Sequence, residues 1–99
     1  MLELVQQNLP AIRELCQRYG VGRLILFGSA AVGGREPPDL DFFYEMRGGV
    51  EGLFDRFFGF KEELEALLGR PVDLVSLKDV TNPYFLNAAR RHEIELYAA

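Results

Sequence analysis

Four consecutive apolar residues, Leu24-Ile25-Leu26-Phe27, run directly into Gly28-Ser29. A short unbroken apolar run bounded by turn residues suits a strand covered on both faces, and it predicts the central strand of a sheet. Gly28 tolerates the backbone angle of a sharp turn out of that strand and lets an anion approach the main chain, while the amides after it point at the anion. Ser29 adds a hydroxyl donor. Ten positions after Ser29 comes Asp39-Leu40-Asp41. In an extended segment residues i and i+2 share a face, so Asp39 and Asp41 are expected side by side with Leu40 turned into the core. Paired carboxylates suit a hard cation such as Mg²⁺, which keeps several waters and shares its other positions with substrate phosphates. Each part alone is ordinary, a Gly-Ser turn or a solvated Asp-x-Asp; in this order they are the parts that hold a metal-bound triphosphate.

The rest of the chain reads as helix, strand, turn, strand, helix, strand, helix, strand. Val5, Leu9, Ile12, Leu15, Cys16 and Tyr19 recur at three- and four-residue steps, with Pro10 expected to divide the helix and start its main part. Gly20 and Gly22 are expected to stop it. Asp39 to Met46 reads as a longer strand broken by Gly48-Gly49. From Val50 to Leu68 the residues Leu53, Phe57, Phe60, Leu64 and Leu67 mark one helical face, weakened at Gly59 and widened by Phe54, Phe58 and Leu68. The expectation for Phe54 and Phe58 is a broad core face, with an exposed patch for a partner as the alternative. Val72-Asp73-Leu74-Val75 alternates as a strand that turns Asp73 away from Val72 and Leu74. On the residues alone, Asp73 is either an exposed strand aspartate or a third carboxylate beside the Asp39/Asp41 pair. Asn82-Pro83 to Arg91 suits a capped helix, and Ile94 to Tyr97 an edge strand. His92, beside Arg90 and Arg91, reads as a surface or C-cap histidine rather than a base or metal ligand.

Leu26-Phe27-Gly28-Ser29 with Asp39-Leu40-Asp41-Phe42 resembles the signature of the polymerase β-like nucleotidyltransferases, in particular the minimal nucleotidyltransferases of about this length. The resemblance covers most of the chain. It implies an α/β (α+β) fold, a small mixed sheet flanked by helices, and Mg-dependent transfer of a nucleotidyl group, adenylyl first, from a nucleoside triphosphate such as ATP to a hydroxyl acceptor. Gly28 and Ser29 would then hold the β- and γ-phosphates. On the residues alone, Arg35 in the connecting loop is either solvated, the default for a loop arginine, or a guanidinium offered to a phosphate. Asp39, Asp41 and Asp73 would be the catalytic and metal-holding carboxylates, with two Mg²⁺ ions clamping the attacking and leaving oxygens. The chain departs from the common pattern at Val32, where many members carry Arg, and at Pro38, where they carry Ser. Minimal nucleotidyltransferases are often paired as antitoxin with a small helical HEPN-domain toxin. The resemblance therefore implies such a partner, and the departures leave open a second reading, a nucleotide-binding module that neutralises its partner by contact.

Composition bounds these expectations. At 99 residues with 48% hydrophobic content, residues 1–99 read as one domain with a single core. Larger relatives add a helical domain to grip base or acceptor, so a homo- or hetero-oligomer is expected here. A net charge of −4 provides no basic footprint for nonspecific nucleic-acid binding. Cys16, the only cysteine, excludes an internal disulfide and points to the reducing cytoplasm; on the apolar side of its helix it reads as a buried thiol. No run of about eighteen apolar residues is present, so no membrane span is expected.

Overall fold

The computed structural model of the chain describes residues 1–32, 37–79 and 92–99. Two helices open it. Helix α1 (Glu3–Gln7) is separated from α2 (Leu9–Tyr19) at Asn8, and Pro10 lies in the first turn of α2, where its missing N–H leaves no hydrogen bond unmade. Gly20 ends α2 in the left-handed conformation, φ 73°, its N–H donating to the Cys16 carbonyl. Gly22 is not part of that stop: strand β1 (Val21–Phe27) begins before it, with a register irregularity between Val21 and Arg23. After β1 a single helical turn, α3 (Ser29–Val32), precedes β2 (Leu40–Met46), α4 (Leu53–Leu68), β3 (Val72–Ser76) and β4 (Ile94–Ala98). The helix expected over 82–91 lies outside the described residues.

The four strands form one mixed sheet in the order β3-β2-β1-β4. Strand β1 is interior, as its unbroken apolar run requires, and it pairs antiparallel with both neighbours, while β2 and β3 run parallel and are joined through α4. Alternation along the strands creates two faces. Leu24, Leu26, Leu40, Phe42 and Val72 meet Ile12, Leu15 and Cys16 of α2 and Phe60, Leu64 and Leu68 of α4 in the main core. Truncating a fully buried ring such as Phe42 to Ala costs about 3–5 kcal/mol. The opposite face carries a smaller cluster of Ile25, Phe27 and Phe43, against which Val75 and Leu77 pack; the Phe27 and Phe43 rings stack with centroids 4.0 Å apart.

Two expectations about α4 change. Gly52, φ 66°, precedes its first turn, so the helix starts at Leu53 rather than Val50. Phe54 and Phe58 are not core: they are 73% and 48% exposed, their rings 4.5 Å apart, because the buried side of α4 is centred on Phe60 and Leu64. No described helix is long and apolar enough to cross a membrane.

Candidate active site

The C-terminal end of β1 and the N-terminal ends of β2 and β3 meet at one rim of the sheet, because β1 is antiparallel to β2 and β2 is parallel to β3. Phe27 is the register partner of Asp41, and Asp41 is the register partner of Asp73. Register partners on adjacent strands point to the same face, about 4.8 Å apart. Asp41 and Asp73 therefore stand together on the face that carries the Phe27–Phe43 stack. Asp39 lies in a bend just before β2 rather than in the strand, so the i, i+2 strand geometry does not apply to it. It is nonetheless close enough to act on Asp41. Burial first, then the charges of Asp39 and Asp73, push the half-buried Asp41 carboxyl above its ordinary pKa of 3.8.

Gly28 follows directly from β1 with φ 76°, and its carbonyl accepts from the Ala31 N–H at 3.2 Å as α3 begins. A Cβ at this position would lie 2.8 Å from Asp41 Oδ2. The turn is thus packed against the carboxylate itself, a tie that sequence spacing does not reveal. Ser29 opens α3, while its side chain and all of Arg35 lie outside the described residues. Val32 is 60% exposed.

Asp39 and Asp73 are exposed, and among the described residues none of the three carboxylates is paired with Lys or Arg. Among the same residues no group of three or more His, Cys, Asp or Glu side chains is arranged to hold a metal ion by itself. That donor set still fits Mg²⁺, which is usually bound through one or two carboxylates with water and substrate phosphate completing its shell. Mutual repulsion at Asp41 is what such a cation relieves. An open groove of about 590 Å³, lined by Tyr44, Met46, Leu53, Phe54, Phe57 and Phe58, lies at the other end of β2 and is separate from the acids.

The family model described as a nucleotidyltransferase domain matches residues 11–96, which takes in β1, the Gly28 turn and all three acids. The chain belongs to the nucleotidyltransferases. A Methanocaldococcus jannaschii protein named provisionally as a protein adenylyltransferase is 37% identical over 83 residues, 83% of this chain and 80% of that protein. A solved structure described provisionally as a minimal nucleotidyltransferase superposes with a TM-score of 0.72 at 33% identity, covering 93% of this chain and 92% of that one. The fold is also that of a chain in a solved complex described as a tri-AMPylated Shewanella oneidensis HEPN toxin with MNT antitoxin, with TM-score 0.64, 19% identity and coverage of 95% of this chain and 72% of that chain. This chain is therefore a minimal nucleotidyltransferase, a transferase by family, with the expected small mixed sheet flanked by helices.

Cys16 is fully buried and its thiol is pushed up to about 12 by burial, so it is no nucleophile. His92 is exposed. The residue that sequence reasoning passed over is Arg70, whose Nη1 donates to the Pro37 carbonyl at 3.0 Å. Its signal was available: Pro37-Pro38 has no backbone donor, so that segment is held through its carbonyls.

Proposed function

We propose that this minimal nucleotidyltransferase transfers an adenylyl group from Mg-ATP to a hydroxyl on a partner protein, and that the partner is a small helical HEPN-domain toxin. The observation that carries the reading is the meeting of Gly28, Asp41 and Asp73 at one rim of the sheet, with Asp39 acting on Asp41. The adenylyl group and protein acceptor are supported by the name of the Methanocaldococcus relative, and the HEPN partner by the AMPylated toxin bound in the Shewanella complex.

The turn at Gly28 and Ser29 binds the β- and γ-phosphates, with the guanidinium of Arg35, which lies outside the described residues, as a further candidate phosphate ligand. Asp39 and Asp41 hold Mg²⁺, with Asp73 completing the set for a second ion. When bound, the metal neutralises phosphate charge and stabilises the leaving pyrophosphate. Asp73 orients the acceptor hydroxyl and takes its proton. The hydroxyl oxygen bonds to the α-phosphorus, the bond from that phosphorus to the bridging oxygen breaks, and pyrophosphate departs. Reactions of this kind depend mainly on positioning and charge neutralisation.

A second reading, neutralisation of the partner by contact alone, has its own observation: Val32, where many members carry Arg, is 60% exposed and offers no charge to a phosphate. Incubating the chain with α-labelled ATP, Mg²⁺ and the protein encoded beside it separates the two. Label on the partner is expected. A partner that is neutralised while remaining unlabelled decides for contact alone.

A further inference from the structure

Asp39 sits between two fixed points. On one side the Arg70 guanidinium donates to the Pro37 carbonyl at 3.0 Å; on the other the Leu40 N–H donates to the Pro71 carbonyl at 3.0 Å. Both anchors come from the same Arg70-Pro71 turn, which leads into β3 and Asp73. Between them the backbone has little freedom. Pro38 fixes its own φ, and a residue before proline is held in the extended region, so Pro37 and Pro38 form a stiff pair. Neither has an N–H, so the pair can be tethered by its carbonyls and not by its amides. Pro37 is buried and Arg70 half-buried, which makes this a packed contact rather than a surface one.

We infer that Arg70 is a positioning residue of the cation site: by holding the Pro37 carbonyl it sets Asp39 against Asp41 and couples both to the turn that carries Asp73. Pro38, a departure from the family pattern, belongs to this device, since it stiffens the segment whose far end Arg70 grips. The inference rests on the proposed role of the three acids as cation ligands. Arginine suits the task because its planar fork holds direction, whereas a lysine offers a compact ammonium on a flexible stem.

The test uses the full chain with Arg70→Gln, Arg70→Met and Arg70→Lys, and Mn²⁺ as the probe. Without metal, NMR amide exchange at Asp39 and Leu40 should quicken in Arg70→Gln while amides of Leu24 to Leu26 keep their protection. With Mn²⁺, affinity read by water-proton relaxation should fall about tenfold, the usual effect of losing a group that orients a ligand. Arg70→Lys should recover part of both, and Arg70→Met, which keeps the apolar stem, stands in should the Gln variant not fold. Unaltered exchange at Asp39 and Leu40 overturns the inference, as does unchanged Mn²⁺ affinity in a variant whose loop has loosened. A loosened loop in a protein whose wild type binds no Mn²⁺ supports the tether and overturns the cation site instead.

Discussion

A methyl group on Gly28 and the carboxylate of Asp41 cannot occupy their places together: the Cβ would lie 2.8 Å from Oδ2. Gly28 also sits at φ 76°, so it meets a backbone demand and a steric one at once. Gly28→Ala should cost roughly 1–2 kcal/mol from the backbone alone. It should also push the Asp41 carboxylate from its position, and Gly28→Val should do so more strongly. Thermal melts read the first effect and calorimetric titration with Mg-ATP the second. Full Mg-ATP affinity in both variants would take Gly28 out of the nucleotide site.

Asp41 is held above its ordinary pKa of 3.8 by burial and then by Asp39 and Asp73, so the folded chain keeps a proton that the unfolded chain releases. Between 3.8 and the raised value the folded state binds more protons, and stability falls as pH rises through that window and stays reduced above it. Asp41→Asn should therefore be more stable than wild type at neutral pH, with the difference vanishing in acid. Saturating Mg²⁺ should reverse the order by stabilising only the wild type. Denaturant melts across pH, with and without Mg²⁺, check both signs. A variant no more stable than wild type at neutral pH would mean that the carboxylate is not under strain.

Gly59 looks from sequence like a weak point in α4 that alanine would repair, since glycine in a helix interior costs about 1 kcal/mol relative to alanine. The structure reverses the expectation. A Cβ there would lie 2.6 Å from Tyr19 Cε1, where α2 crosses α4, and Tyr19 is itself packed edge-on against Phe60. Gly59→Ala should lose stability, by about 1–3 kcal/mol in the manner of an overpacked contact. A raised melting temperature would show that the Tyr19 ring moves aside at little cost.

Phe54 and Phe58 share a helix with Phe60 but not a role. Replacing the two exposed rings by Ser should change stability little, within about 1 kcal/mol in total, as surface substitutions do. Phe60→Ala empties a buried site and should cost about 3–5 kcal/mol. Parallel chemical melts compare them. Equal losses would place all three rings in one core.

The strands and the order of the acids were legible in the sequence because they rest on local rules. The apolar run Leu24 to Phe27 needs two neighbours, and alternation at Val72 to Val75 fixes which way Asp73 points. What could not be read were relations across the sheet. A helical wheel centred one position differently turns Phe54 and Phe58 from core to solvent. A strand that begins at Leu40 instead of Asp39 takes one acid out of the ladder while leaving its charge nearby. The contacts of Gly28 with Asp41, Gly59 with Tyr19 and Arg70 with Pro37 join residues well separated in the chain, and nothing in spacing or propensity records them.

Asp73 separates catalysis from contact. It is the register partner of Asp41, exposed at the rim, and the acid assigned to the acceptor hydroxyl. In the proposed function triphosphate binding rests mainly on the Gly28 turn, Asp39 and Asp41, so Asp73→Asn should keep much of the Mg-ATP affinity. Transfer should slow by about 10²–10⁴-fold, the usual value of general-base assistance, and loss of a metal ligand would add to that. The measurement pairs a calorimetric titration with the rate of label transfer to the partner. If neither wild type nor Asp73→Asn moves label and both neutralise the partner equally, neutralisation proceeds by contact and Asp73 takes no part in it.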